Sequence, residues 1–335
     1  MHVNPILMMG GSGAIGHLSA TTLRRLHPDL PFLIAGRDME KARAVAEELG
    51  NAEAVQLDLK AEDLGLGDRK VGAVAVFYAD NRLAGLRFAQ ARDVPHLSIS
   101  SGIFEIAPEI GSFMHRPRTS AVVLGYEWLV GATTIPTLEV AKSFGHVATI
   151  KIGALVDEED GGGPAVAEDF ERLSKMMPAA LTRRDGAYIW RQGEDAEATF
   201  HAIDGTEIKG SGFSSIDVVG LATATGAGDV QFDLATGVSS SRRRGEPKST
   251  EIVIAVSGTD HDGRARQTRH AVFHPGGAAP LTAMGVATIL ERLTGLDGRE
   301  PASPGLYFPY QLIEPALYLR RLEAAGGGLM TLEPR

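Results

Sequence analysis

The sequence predicts an α/β chain: an N-terminal doubly wound parallel sheet, then a second α+β domain with a mostly antiparallel sheet. Three observations predict it. Residues Gly10–Gly16 read GGSGAIG, between a short apolar run and the start of a helical pattern. Apolar strand-like runs alternate with helical patterns as far as Leu124, as in a sheet covered by helices on both faces. Beyond Leu124, strand-like segments follow one another with few helices.

The expected strands of the first domain are Ile6–Met9, Phe32–Ala35, Ala54–Leu57, Val71–Phe77, His96–Ile99 and Ala121–Leu124. Several are unbroken apolar runs, the mark of strands buried on both faces. Met39, Ala42, Ala46 and Leu49 share one face of a helix that closes on Gly50. Asn81 to Ala91 reads as a further helix, and Gly131 to Phe144 as the one that follows the sixth strand. The later strand-like segments are Ala148–Val156, Ala198–Ile203, Ser215–Thr223, Val230–Ala235, Glu251–Val256 and Arg266–Phe273. Asp262-Gly263 marks a hairpin, because Asp-Gly supplies the positive φ that such turns demand. Residues 239–249, SSSRRRGEPKS, are polar and expected to form a mobile loop. Leu281, Met284, Ala287 and Leu290 are spaced for one face of a helix over Pro280–Leu293.

A chain of 335 residues exceeds what one core comfortably supports. The expected division is 1–128 for the first domain, rejoined by 305–335, with 129–304 as the second. The net charge of −9 argues against nucleic-acid and anionic-membrane partners. The absence of cysteine excludes disulfides, thiolate metal sites and cysteine nucleophiles. No basic leader with an apolar core and no membrane-length apolar run is present, so a cytoplasmic location is expected. His261 and Asp260 lack a third ligand at metal spacing, and no metal site is expected.

The glycine loop carries the first chemistry. A strand, a G-x-G-x-x-G loop and a helix in that order form a cradle for a dinucleotide pyrophosphate. Gly11 permits the turn, Gly13 lets backbone approach the phosphates, and Gly16 lets the helix pack on the strand. The backbone of Ser12, Gly13, Ala14 and Ile15 then lies at the positive end of the helix. The second strand ends in Gly36, Arg37 and Asp38, where the ribose of the cofactor is read. Arg37 suits the 2′-phosphate of NADP through charge-assisted bonds, and Lys41 adds a charge one helical turn on. The competing reading places the ribose of NAD on Asp38. Asp58, after the third strand, is expected near the adenine. Tyr78, Asn81 and Ser100, beyond the fourth and fifth strands, are expected near the nicotinamide.

These segments resemble the saccharopine dehydrogenase-like reductases. The likeness lies in GGSGAIG, AGRD, MEKARAVAEEL, VQLDLKAEDL, VPHLSISSG and GYEWLVGAT, and in the closing PGLYFPYQLIEPALYLRRLEAAG. It covers the cofactor domain well and the rest in outline. It implies NAD(P)H-dependent reduction of a small molecule, often an imine, an open antiparallel sheet in the second domain, and a homodimer. The catalytic Lys and His of true saccharopine dehydrogenases have no match here. Short-chain dehydrogenases also use a glycine loop, but they need a Tyr four residues before a Lys. Tyr78, Tyr126, Tyr188, Tyr307, Tyr310 and Tyr318 are followed at that spacing by Arg82, Val130, Gln192, Gln311, Glu314 and Leu322.

Reduction of a C=N or C=O bond needs a proton donor beside the hydride acceptor. Tyr126 and Glu127, in the segment that leaves the first sheet, are the candidates. Asp157 opens the acidic run 157–160, which would attract a cationic amine. Tyr188 and Trp190 would line a substrate pocket. Two other functions share the same fold: a non-catalytic NADP-binding regulator, and a trans-acting enoyl reductase.

Overall fold

The computed structural model describes residues 4–161, 168, 169, 171, 172, 175 and 179–333. The chain forms two compact units, with the boundary between Tyr126 and Glu127. The first also contains Thr282–Leu312, and the second resumes at Ile313.

In the first unit, β1 (Ile6–Met9), β2 (Phe32–Ala35), β3 (Ala52–Val55), β4 (Ala73–Val76), β5 (His96–Ser98), β6 (Ala121–Leu124) and β15 (Gly305–Tyr307) make one sheet. Its order is β15-β6-β5-β4-β1-β2-β3, and every neighbouring pair is parallel. β1, β2, β4 and β6 are buried at every position, which is why they read as apolar runs without alternation. β3 lies two residues earlier than its apolar run suggests. Its register is set by pairing of Phe32 with Ala52 at the sheet edge, while Leu57 packs against the core from beyond the strand. The helices are α1 (Ala14–Leu26), α2 (Met39–Leu49), α3 (Ala84–Ala91) and α4 (Ala107–His115).

The second unit begins with α5 (Thr134–Ala141). Its sheet contains β7 (His146–Asp157), β8 (Ala180–Arg184), β9 (Ala187–Arg191), β10 (Glu197–His201), β11 (Glu207–Gly212), β12 (Asp229–Gly237), β13 (Thr250–Thr259), β14 (Ala265–His274) and β16 (Gly328–Leu332). The order is β10-β11-β12-β7-β13-β14-β16, with β8 on β12 and β9 on β8. Among the described residues, only β12 and β7 of this sheet run parallel. The closing segment divides: Gly305–Tyr307 pair with β6, whereas Gly328–Leu332 pair with β14.

Asp-Gly pairs turn three hairpins here. Asp185 and Gly186, both at positive φ, join β8 to β9 in a two-residue turn, the mirror-image type that suits strand twist. Gly205 turns β10 into β11. At Asp262-Gly263 the loop is longer than a two-residue turn. Asp260 accepts the amides of Asp262 and Arg264 at 2.9 Å each, and only Gly263 has positive φ.

Two expectations need correction. Residues Ser215–Thr223 are not a strand; Asp217–Thr225 is a helix that ends on Gly226 in the left-handed conformation. Val218, Leu221 and Ala222 are buried at helical spacing, and that spacing outweighs the β-branched composition. The stretch 239–249 is not a loose loop. Ser239, Ser240 and Ser241 are buried, Ser240–Arg243 form a helical turn, and Arg243 pairs with Asp204 at 2.7 Å. Glu251 accepts the Ser240 hydroxyl at 2.7 Å. The long helix lies at Ala278–Thr294, and Asp160 Oδ2 accepts the Ala278 amide at its start, at 2.6 Å.

β12 also carries a buried ion pair. Arg191 donates to Asp233 at 2.7 Å and to the Thr182 hydroxyl at 2.7 Å. A further buried acid, Asp217, has no cation partner among the described residues. Its Oδ2 accepts the Trp128 amide at 2.8 Å and the Ser215 hydroxyl, and its Oδ1 has no hydrogen-bond partner among the described residues. Beside it Trp128, Phe213 and Phe232 pack edge to face or tilted, 5.3–5.8 Å between centroids.

Burial pushes the Asp217 carboxyl up from 3.8 to about 6, against the hydrogen bonds from Ser215 and Trp128. The native state therefore holds this proton where the unfolded chain releases it. The contribution to stability is complete below the unfolded value and is lost as pH rises to about 6. We expect wild type to lose on the order of 3 kcal/mol relative to Asp217→Asn across that window, measured by urea unfolding at each pH. Parallel pH profiles for the two proteins would rule this assignment out.

Candidate functional site

The strand order of the first sheet reverses between β1 and β4, and ligands of such sheets bind beyond the carboxyl ends at that point. The glycine loop leaves β1 there. Gly10 carries the positive φ, +86°, so the turn falls on Gly10 and not on Gly11. Gly11 is needed for space: a Cβ there would stand 2.7 Å from Met8 Cβ. A Cβ on Gly16 would stand 2.6 Å from the Gly10 carbonyl. Gly13 and Ala14 are exposed, and the nearest atom to a Cβ on Gly13 is the Gly10 carbonyl oxygen at 3.2 Å. No side chain caps α1. This is a backbone cradle with a free helix N-terminus, and it fits a dinucleotide pyrophosphate.

The end of β2 comes up against this loop. A Cβ on Gly36 would collide with the Ser12 hydroxyl. Arg37 is exposed and has no ion-pair partner among the described residues. Asp38 is the N-cap of α2, accepting the amides of Glu40 and Lys41 at 3.0 and 3.1 Å. The Lys41 side chain is exposed. Asp58 holds its own turn, accepting the Lys60 amide at 2.9 Å.

Beyond β4, Tyr78 is half-buried against the core, with its ring beside Gly10. Burial, and then the charge of Asp80, push its phenol above the usual range. Asn81 is exposed and Ser100 half-buried. Asp80 accepts the Gly85 amide in the first turn of α3 at 2.8 Å.

The carboxyl ends of β5 and β6 bring Ser98 and Tyr126 together, and α4 adds Glu109. All three are buried. Tyr126 donates to Glu109 Oε2 at 2.5 Å, Ser98 donates to Oε1 at 3.3 Å, and the two hydroxyls touch each other. Burial, then Glu109, hold the Tyr126 phenol well above its ordinary value. Burial also raises the Glu109 carboxyl; its bonds from Tyr126 and Ser98 oppose this, and Asp80 and Glu105 add to it. Sequence reasoning missed Glu109. Its sign was a carboxylate on the apolar face of a helix, three residues after Ile106 and four before Phe113.

The other candidates lie in the second unit. Glu127 is buried and accepts the Thr134 hydroxyl at 2.7 Å, at the start of α5. Asp157 is buried. Burial would raise its carboxyl, but hydrogen bonds from Ser239, the Glu159 amide and Arg242 hold it at about 2. Arg242 also reaches Glu158 and Glu159, at 3.3 and 3.0 Å, and Lys248 reaches Asp160 at 3.4 Å. Two cations, Arg242 and Lys248, thus face the four carboxylates of the acidic run. Tyr188 and Trp190 are exposed on β9, with Arg183 over the Tyr188 ring at 5.5 Å.

No family model matches the sequence, and no curated protein matches it in sequence. Solved structures match the fold. Saccharopine dehydrogenase (L-Glu forming) from Saccharomyces cerevisiae superposes at a TM-score of 0.67 and 14% identity, covering 98% of this chain and 100% of that one. Homospermidine synthase from Legionella pneumophila, in complex with NAD, superposes at 0.61 and 9% identity, covering 98% and 91%. The chain has a saccharopine dehydrogenase-like fold. No helix among the described residues is long and apolar enough to cross a membrane.

The loop geometry separates two glycines by stability. Gly16→Ala forces a methyl into backbone and should cost about 1–3 kcal/mol. Gly13→Ala puts its methyl in the opening and should cost about 1 kcal/mol or less. Denaturant unfolding of both variants checks this; equal losses would mean that the loop is packed differently.

Proposed function

We propose that this chain is an NADP(H)-dependent oxidoreductase that reduces the C=N or C=O bond of a small molecule. The observation that carries the reading is the glycine cradle at the reversal of strand order, open at Gly13 and Ala14. The backbone of Ser12, Gly13, Ala14 and Ile15 would face the pyrophosphate, with Gly11 and Gly36 keeping the loop compact. Arg37 and Lys41 would hold the ribose 2′-phosphate. Asp58 would lie toward the adenine, and Tyr78, Asn81 and Ser100 toward the nicotinamide. The choice of NADP over NAD rests on the two side chains after Gly36: Arg37 has no ion-pair partner among the described residues, while Asp38 caps α2.

When bound, a reduced nicotinamide supplies hydride. The chain must then supply a proton and exclude water. Tyr126 is the proposed donor, because its hydroxyl lies at the carboxyl edge of the first sheet. Glu127 is engaged with Thr134, which suits it to holding the start of α5. Tyr188 and Trp190 are the exposed aromatics of the second unit that would contact substrate.

The decisive experiment follows NADPH absorbance with a panel of amine–carbonyl pairs, ketones and enoyl compounds. Tight NADPH binding with no consumption would favour a regulator without turnover, and consumption with C=C substrates alone an enoyl reductase. Arg37→Ala should weaken NADPH binding about 10- to 150-fold, from the loss of roughly 1.5–3 kcal/mol, and leave NADH binding nearly unchanged. Equal weakening of both cofactors would place the 2′-phosphate elsewhere.

A further inference from the structure

Glu109 occupies an unusual place for a carboxylate. It is buried, and its hydrogen-bond partners are the hydroxyls of Tyr126 and Ser98. The charged groups facing it are Asp80, after β4, and Glu105, before α4, and both are acidic. Desolvation with two like charges, and no cation partner among the described residues, favours a neutral acid over a carboxylate. The same triangle lies at the carboxyl ends of β5 and β6, on the edge of the sheet where ligands bind.

We propose that Glu109 is a proton-holding positioning residue that acts through Tyr126, supplying the proton that replaces the one Tyr126 gives to substrate. The inference rests on the oxidoreductase reading above. In the ionised state, Glu109 accepts from both hydroxyls, so the Tyr126 hydrogen points at the carboxylate. In the protonated state, Glu109 donates to Tyr126 Oη, and the phenol hydrogen turns away from the carboxyl, toward the Ser98 and Ser101 hydroxyls or a ligand that takes their place. As hydride from the dinucleotide reaches the substrate carbon, the double bond to nitrogen or oxygen becomes single. The Tyr126 O–H bond breaks and an N–H or O–H bond forms on the substrate heteroatom. The Glu109 proton moves to Tyr126 Oη, leaving a carboxylate that Ser98 still hydrogen-bonds. A solvent proton then restores the acid. Two hydroxyls and one acid thereby keep the donor neutral throughout, where a lone buried tyrosinate would be costly.

The test joins a readout without turnover to a kinetic one. Infrared difference spectra of the whole protein without nucleotide are taken across pH for wild type, Glu109→Gln and Glu109→Asp. We expect a carboxylic-acid band that persists above the ordinary carboxylate range and is missing from Glu109→Gln. With NADPH and the panel compound turned over fastest, wild-type kcat should fall as that band disappears. Glu109→Gln should lower kcat by about 10- to 100-fold, abolish the pH-dependent fall and leave NADPH affinity unchanged; Glu109→Asp should restore part of the rate. Ser98→Ala keeps the acid but removes a donor to its carboxylate, so the fall in rate should move to higher pH. The proposal is overturned if no such band is lost in Glu109→Gln, or if that variant keeps the wild-type rate and pH profile. NADPH binding without turnover of any panel compound overturns the oxidoreductase reading as well, and the infrared result tells the two failures apart.

Discussion

Helix α1 and strand β1 meet so closely that a single methyl on Gly16 would stand 2.6 Å from the Gly10 carbonyl. This approach sets the first turn of α1 directly beyond the strand end. The helix N-terminus, with its unpaired amides and positive dipole end, then faces the opening where the sheet order reverses. The end of β2 closes on the same loop, because Gly36 has no side chain to meet Ser12. Tyr78 comes up from β4 against Gly10. The geometry of the cradle is thus a matter of what is absent at a few positions, with neighbouring side chains filling the space that remains.

Charge is handled differently in the two units. Two buried acids of the second unit are paired with arginines: Asp233 with Arg191, Asp157 with Arg242. Those acids anchor strands and the 239–249 segment. Glu109 in the first unit and Asp217 in the second are buried and are held instead by hydroxyl and amide donors. A buried acid of that kind responds to pH, whereas an ion-paired one stays charged and structural. Asp217 ties Trp128 to the helix Asp217–Thr225; Glu109 ties Tyr126 to α4. The segment Tyr126–Trp128 is therefore held at either end by such an acid.

Residues 239–249 show how composition misleads. A run of serines and arginines looks solvated, because its charges seem unopposed along the chain. Asp157 and Asp204 stand far from it in sequence and adjacent to it in space. Ser239, Ser240 and Ser241 are small enough to be buried; Glu251 receives the Ser240 hydroxyl, Ser249 receives that of Ser241, and Ser239 accepts the Ser249 amide.

The sequence by itself determined the parallel sheet, the glycine loop, the Asp262-Gly263 turn and the long helix Ala278–Thr294. These depend on local spacing: apolar runs, glycines at fixed offsets and positive φ, all within a few residues of one another. It also contained the helical spacing of Val218, Leu221 and Ala222, although β-branched composition masked it. Tertiary structure alone decided which polar groups meet. Asp38 caps α2 through amides only two and three residues on, but that Asp157 pairs with Arg242, and that Glu109 joins Ser98 and Tyr126, depend on side-chain directions and long-range packing. Charge and hydrogen bonding act over a few ångströms, and the partners in the last two cases lie from 11 to 85 positions apart along the chain. No pattern of spacing along one strand or helix records such a meeting; the sheet order and the helix that crosses it bring it about.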